Sequence, residues 1–377
     1  MITIEDRIMG SGKTTRAIDW MNSNNNYMFI TPFLSEVDRV VDKVNNVFEP
    51  NTKNDNGSKL DSLLKLAKRG SNIVSTHSCF QSLTKKDFHI FKDYTLILDE
   101  VVNPIEVLKI SKDDIKMMLD TNKIQILEDK TVIFLEKNYD GTFTYFRDLC
   151  RTSNVIYVND SFLIWCFPVE IFTSFKNIKI LTYLFEGSLL SAYFKYFNIE
   201  YMVDSQDDSD VRLKVKNLLN IYNGDCNLLG KASNSLSKRC FEKRLTSEQL
   251  KSIRNTTNYM FTKVFKTKSE DNAYTTFLDY VDKVKGGGYS KGFIPVNARA
   301  TNDYATKKSM AYLANRYVVP SVDNFFKEKN INMNEDLWAL SELLQWIWRG
   351  CIRNGEPMNL YIPNKRMRGL LIKWLNN

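Results

Sequence analysis

Histidine is nearly absent from this chain: only His77 and His89 occur in 377 residues. The six cysteines (Cys79, Cys150, Cys166, Cys226, Cys240 and Cys351) are scattered, with no CxxC pair among them. A structural zinc site draws on closely spaced Cys and His, so it is not expected here. Thiols dispersed in this way read as reduced core or surface residues. Long apolar runs are missing as well. No stretch approaches the roughly 18 to 20 residues that span a bilayer, and no signal peptide is visible, so a soluble protein of the cytoplasm is expected.

What is present is a folding composition, with 43% hydrophobic and 12% aromatic residues. The length suggests two domains. A formal charge of +8 is a modest excess, consistent with a polyanionic partner but too small to establish one.

The most informative stretch lies near the start, "RIMGSGKTTRAI" at residues 7 to 18. Gly10 and Gly12 let the backbone turn tightly and aim several amide N–H groups at one anion. Residues Met9, Gly10, Ser11, Gly12, Lys13, Thr14 and Thr15 are thus expected to cradle phosphates. Lys13 would reach the β and γ phosphates, and the Thr14 hydroxyl would ligate magnesium. Arg7 stands where the strict Walker A pattern has its first glycine. A strand in "MITIEDRI" and a helix in "TTRAIDWM" supply the context that a phosphate on a helix N-terminus requires.

Strands and helices then alternate. "NNNYMFITPFL" offers an apolar strand ending at Thr31-Pro32, and a helix capped at Ser35 follows, with Val37, Val40, Val41, Val44 and Val47 on one face. "LDSLLKLAKRG" reads as a helix stopped by Gly70. "NIVSTHSCF" reads as a strand, "QSLTKKDFHIFKD" as a helix and "YTLILDEVV" as a buried strand. This rhythm predicts an α/β fold with parallel sheets covered by helices and ligands at the carboxyl ends of the strands. From about 110 to 175 the rhythm breaks. That segment reads as an insertion containing a β-hairpin that turns at Asp140-Gly141. "IKILTYLF" returns to the sheet, and the acidic run 203–211 marks the domain junction.

The second half opens with "KVKNLLNIYNG" as a strand and "TSEQLKSIRNTTNYMFTKVF" as a helix. A triple-glycine loop then leads into a strand, and "NEDLWALSELLQWIWRGCIRNG" reads as one amphipathic helix. "MNLYIP" is a last strand, and "NKRMRGLLIKWLNN" is a basic closing helix. The expected domains are 1–205 and 206–377.

Two clusters complete the chemistry. Asp99 and Glu100 end an apolar strand, where Asp99 would hold magnesium and Glu100 would polarise an attacking water. Gln345, Arg349 and Arg353 recur every four residues, which places them on one helical face. Such arginines suit the charge that develops on a γ-phosphate. Asp207, Asp208 and Asp210 would serve a nuclease metal, but in a polar run without strand context they read as a solvated linker.

"MGSGKT", "ITPFLSEV", "VSTHS", "ILDE" and "QWIWRGCIR", in that order, resemble motifs I, Ia, Ic, II and VI of a superfamily 2 helicase. "NARATNDYA", "QWIWRGCIRNGEPMNLYIP" and "RMRGLLIKWL" are similar to DEAD-like helicases encoded by bacteriophages. The resemblance covers nearly the whole chain. It implies two tandem RecA-like P-loop NTPase domains, ATP and Mg²⁺ as cofactors, and single-stranded DNA across both domains, with RNA left open. It implies that Thr31, Pro32, Ser75, Thr76 and His77 lie near the nucleic-acid backbone, that Thr182 and Tyr183 couple ATP to strand movement, and that Arg299, Thr301 and Asn302 fall near motif V. Departures are Arg7, "DEVV" in place of DEAD, the four-residue arginine spacing, and Trp348 where a glycine is usual.

The expected activity is therefore that of an ATP-dependent helicase or translocase, monomeric or loosely assembled, that works with phage replication proteins. A DNA-packaging ATPase of the terminase kind and a nucleotide-gated binding protein are the alternatives. Lys283, Lys285 and Lys291 by the glycine loop, and Lys365, Arg366, Arg368 and Lys373 in the last helix, are candidate phosphate contacts.

Overall fold

The computed structural model describes residues 1–52, 58–151, 154–297 and 304–377. The chain divides into two compact units. One comprises Met1–Asp6, Gly12–Asp204 and Val319–Met333, and the other comprises Arg7–Ser11, Ser205–Val318 and Asn334–Asn377.

The first unit opens with β1 (Ile2–Asp6), α1 (Lys13–Asn22), β2 (Tyr27–Thr31), α2 (Leu34–Lys43), β3 (Val47–Phe48), α3 (Lys59–Lys68), β4 (Asn72–Thr76), α4 (His77–Gln81) and β5 (Thr95–Asp99). Next come β6 (Ile105–Val107), α5 (Lys112–Asp120), β7 (Ile124–Ile126), β8 (Val132–Phe134), α6 (Thr144–Cys150), β9 (Val155–Val158), β10 (Phe162–Cys166) and α7 (Ile171–Ser174). The chain returns to the main sheet with β11 (Asn177–Thr182), α8 (Leu189–Tyr196) and β12 (Met202–Ser205).

The main sheet has seven strands in the order β12-β1-β11-β5-β2-β4-β3. All the pairings from β1 to β3 are parallel. Every residue of β2 and of β5 is buried. Continuous apolar runs of this kind belong to strands covered on both faces, and their side chains enter the core formed with Ala17, Ile18 and Met21 of α1 and Val37 and Val40 of α2.

Local chemistry sets several boundaries. Gly12 adopts φ 82° and starts α1, whereas Gly70 at φ 70° follows the end of α3. Ser58 caps α3 by accepting from the Asp61 amide. Phe33 rather than Ser35 precedes α2, and Val41 is exposed, so the apolar face narrows to Val37, Val40 and Val44. The expected strand "NIVSTHSCF" ends at Thr76, where α4 begins, and the helix expected over 81–93 reduces to a 3₁₀ turn at Phe88–Phe91.

The insertion begins earlier than position 110, because β6 pairs antiparallel with β10 and β10 with β9. Its hairpin joins β7 to β8 and turns over residues 127–131, where Leu127 N–H donates to Thr131 C=O and Lys130 adopts φ 69°. Asp140-Gly141 is not the hairpin turn. The Gly141 C=O accepts from the Thr144 amide and hydroxyl, and the chain goes directly into α6.

The second unit contains α9 (Ser209–Leu218), β13 (Leu219–Ile221), α10 (Lys238–Lys243), α11 (Ser247–Tyr259), β14 (Asn272–Thr275), α12 (Val281–Val284) and β15 (Ser309–Tyr312). The helix α13 (Pro320–Lys327) belongs to the first unit, where the Phe325 ring stacks on Tyr196 with centroids 4.4 Å apart. The second unit closes with α14 (Glu335–Ile347), β16 (Met358–Tyr361) and α15 (Lys365–Asn376). Its sheet runs β13-β16-β15-β14, all parallel. Most of the expected strand "KVKNLLNIYNG" is helical, because α9 continues to Leu218 and only Leu219–Ile221 enter the sheet. Among the described residues, the expected strand after the triple-glycine loop shows one bridge, between Phe293 and Tyr274.

The expected long C-terminal helix also breaks. α14 ends at Ile347, and Cys351–Asn354 form a separate 3₁₀ turn. Gly350 lies just past the break in an extended conformation, and a Cβ there would lie 2.5 Å from Met310 Sδ and 2.6 Å from Met358 Sδ, so the chain passes β15 and β16 too closely for a side chain.

Candidate nucleotide and nucleic-acid sites

In the first unit, β11 lies between β1 and β5, so the carboxyl ends of β1 and β5 flank that of β11. Gly10 adopts φ 78°, and the Ser11 amide donates to Ile8 C=O at 3.3 Å, which forms a tight turn before α1. The Thr14 hydroxyl donates to Asp99 Oδ1 at 3.1 Å. The two candidate magnesium ligands, 85 positions apart in sequence, therefore touch.

Burial dominates the electrostatics. It pushes the Asp99 carboxyl up to about 7, the Glu100 charge adds to that, and the Thr14 hydrogen bond and Lys13 oppose it. Lys13 is pulled below its ordinary range by burial, against the carboxylates of Glu100, Asp99, Glu5 and Asp6. A lysine and a hydroxyl–carboxylate pair at a helix that opens on a left-handed glycine are donors of the kind that polyphosphate and a hard cation take.

Glu100 lies beyond the end of β5 rather than on it. It adopts φ 71°, a conformation rare for a residue with a side chain, and its amide donates to Leu181 C=O at 2.9 Å. Asp99 is thus the last residue of the strand, and Glu100 leaves it through a left-handed kink. Thr182 and Tyr183 are buried at the end of β11.

Two carboxylates near Lys13 were not singled out by the sequence. Glu5 holds Arg16 of α1 in an ion pair. Asp6 accepts from the amides of Leu184 at 2.6 Å and Phe185 at 3.1 Å. Burial raises the Asp6 carboxyl, and these two amides pull it back down. The available signal was an acid closing the strand just before the phosphate turn.

Thr31 and Thr76 are register partners on β2 and β4. Thr31 and Ser75 are buried, whereas Pro32 and Thr76 line a groove of about 920 Å³ together with Ser35, Ser58, Lys59 and Ser78. His77 is the first residue of α4. Arg299, Thr301 and Asn302 lie outside the described residues.

In the second unit, Gln345 and Arg349 are buried and Arg353 is exposed. Only Gln345 lies within α14; Arg349 follows its end and Arg353 is in the 3₁₀ turn, so the three do not share a helical face. The closing helix is basic, but two of its cations are used internally. Arg366 donates to Arg316 C=O at 2.7 Å and to Asp336, and Arg368 donates to Ile362 and Pro363 carbonyls. Lys285 pairs with Asp282, and Lys283 lies over the Tyr280 ring. Asp207 bonds to Ser209 and Asp208 pairs with Arg212, and no cluster of three or more metal-ligating side chains occurs among the described residues. The six cysteines are free thiols. No described helix is long and apolar enough to cross a membrane.

Comparison with known proteins places these units. The chain is 39% identical over 408 aligned residues to the SPbeta prophage-derived uncharacterized protein YonV of Bacillus subtilis (strain 168), covering all of this chain and 99% of that protein. It belongs to the YonV family. Residues 105–165 match the YonV middle domain, which spans β6 to β10, and residues 213–375 match the YonV C-terminal Rossmann-like domain. Among solved structures, XPD in its apo form is 13% identical, with a TM-score of 0.52 over all of this chain and 95% of that one. S. tokodaii Xpd4 is 9% identical, with a TM-score of 0.50 over 99% of this chain and 93% of that one. At such identities the likeness is one of fold: an α/β architecture with parallel sheets, as in the RecA-like domains of XPD-type helicases.

Proposed function

We propose that this chain is an ATP-dependent helicase or translocase of superfamily 2, acting on single-stranded or partly duplex DNA in phage replication or recombination. A helicase-like fold and a prophage relative support the class. The observation that carries the reading is the Thr14–Asp99 contact at the phosphate turn. It pairs a hydroxyl and a carboxylate, the hard oxygen donors that magnesium prefers, beside a lysine already surrounded by carboxylates.

The residues present fit a magnesium-bound nucleoside triphosphate. Met9–Thr15 would hold the phosphates by backbone amides, Lys13 would balance their charge, and Thr14 and Asp99 would hold the cation. The bound nucleotide supplies the phosphoanhydride that is cleaved. Glu100, set apart from Asp99 by its left-handed backbone, orients the attacking water and accepts its proton. A cation beside Asp99 would favour its ionised form, so metal binding should draw a proton from it.

Gln345, Arg349 and Arg353 are assigned to transition-state charge, and 1–205 and 206–377 to two RecA-like domains. Thr31, Pro32, Ser75, Thr76 and His77 are assigned to the nucleic-acid backbone, supported by the Thr31–Thr76 register and by a groove in which Thr76, several serines and Lys59 stand among apolar side chains.

The test is steady-state ATP turnover with and without single-stranded DNA or RNA across a salt series. Stimulation that fades with salt, and that is abolished by Lys13→Ala or Glu100→Gln, is expected. Turnover indifferent to any nucleic acid would refute the translocase reading.

A further inference from the structure

Asp6 belongs to none of the motifs assigned above, yet its surroundings are among the most constrained in the first unit. It is the last residue of β1, in register with Thr182 of β11. Its two oxygens take different amides: Oδ1 accepts from Leu184 at 2.6 Å and Oδ2 from Phe185 at 3.1 Å. Leu184 adopts φ 57° and leads into a 3₁₀ turn at Phe185–Gly187. A left-handed leucine persists only where its surroundings hold it, and here the carboxylate fixes both amides that bracket the kink.

The other end of the same short segment holds Glu100. Leu181 C=O accepts the Glu100 amide at 2.9 Å, and Leu181 is the register partner of Asp99. Five residues, Leu181–Phe185, therefore connect Asp6 to the kinked backbone of Glu100, and all five except Leu184 are buried. A packed segment of this kind transmits displacement rather than absorbing it.

The position of Asp6 is also costly for a phosphate site. Its charge lies close enough to interact with Lys13, where it opposes a polyanionic ligand. A residue kept only for nucleotide binding would not be acidic.

We propose that Asp6 is a positioning residue that sets Glu100 for water activation through the turn following β11. The inference rests on the nucleotide-hydrolysing reading of the site. Asp6→Asn retains one acceptor oxygen but turns an NH₂ toward the second amide, which releases one side of the turn.

The experiment combines amide hydrogen exchange with kinetics on the full chain. In Asp6→Asn, exchange at the Leu184, Phe185 and Glu100 amides should accelerate at least tenfold. The kcat for Mg-ATP should fall about tenfold or more, while KM stays level or drops because a negative charge has left the phosphate site. In a Glu100→Gln background, Asp6→Asn should change single-turnover rates by less than twofold, because the two residues act as one unit. A merely structural loss would raise KM and multiply with Glu100→Gln, which would overturn the proposal, as would unchanged exchange at Glu100. If Asp6→Asn does not fold, Leu184→Ile, whose β-branch disfavours the left-handed backbone, strains the same turn with Asp6 intact and should give the same kcat-against-KM split; an unchanged kcat would count against the link. A parent chain without any ATP turnover refutes the hydrolase reading, whereas the exchange data still decide whether Asp6 holds Glu100.

Discussion

The Thr14 hydroxyl and Asp99 Oδ1 lie 3.1 Å apart, which joins the N-terminus of α1 to the carboxyl end of β5. In a cation site each would be a ligand or would orient one. Thr14→Val removes the hydroxyl and leaves a buried carboxyl without its donor, whereas Thr14→Ser keeps the group. Thr14→Val should weaken Mg-nucleotide binding at least tenfold and Thr14→Ser less than threefold. Fluorescent-nucleotide titration at fixed Mg²⁺ measures both.

The arginines after α14 differ in burial, and this separates function from stability. Arg349 is 9% exposed, so Arg349→Ala should cost roughly 2 kcal/mol or more of stability, as expected for deletion of a buried charged group. Arg353 is exposed, and Arg353→Ala should leave the melting temperature within the scatter of surface substitutions. If Arg353 serves the transition state, kcat should nevertheless fall about 10²-fold or more. Thermal melts and turnover measured on one preparation of each variant distinguish the two effects.

Much of the first unit was legible because its strands declare themselves locally. "YMFIT" and "TLILD" are continuous apolar runs, and burial on both faces is what such runs require. The phosphate turn was legible for a related reason, since Gly10 and Gly12 occupy the positive-φ positions that favour glycine. Features fixed by distant contacts were not legible. The kink at Glu100 depends on Leu181, 81 positions away by their residue numbers, and nothing in "LDEVV" signals it. The four-residue spacing of Gln345, Arg349 and Arg353 implied one helix, but α14 ends at Ile347, and the chain then passes Gly350 close against Met310 and Met358. Likewise, the Asp140-Gly141 pair is an ordinary turn signal, yet the hairpin closes around Lys130, whose left-handed backbone carries no glycine to mark it.

Gly350 supplies a direct test of that account. In Gly350→Ala the new methyl would meet two sulfur atoms at 2.5 and 2.6 Å and the Lys307 carbonyl at 3.1 Å. The methionine side chains can shift, but the carbonyl belongs to the segment that pairs with the Cys351 amide. Overpacking of this kind should destabilise the chain by about 1–3 kcal/mol. Gly369→Ala, where a Cβ meets nothing within 4 Å, should be neutral or slightly stabilising because it lies inside α15. Denaturant midpoints for the two variants give the comparison.

The last prediction follows from the sign of the Asp99 shift. Burial raises this carboxyl to about 7 in the folded chain, whereas an unfolded aspartate titrates near its ordinary value of about 4. The folded state therefore binds the proton more tightly. The stability this provides is complete below about pH 4, declines as pH rises because only the unfolded chain ionises, and is exhausted once pH passes about 7. Asp99→Asn, a neutral isostere, removes that dependence. The variant should match the parent near pH 4 and be more stable than it at pH 8 without metal, while losing magnesium-dependent nucleotide binding. Mg-nucleotide should narrow the gap at pH 8 by stabilising only the parent, with proton release when it binds below about pH 7. Melting curves at pH 4, 6 and 8, with and without Mg-nucleotide, test each step. A parent–variant gap that stays flat across this range would show that Asp99 is already ionised in the folded chain, and would remove the expected proton release.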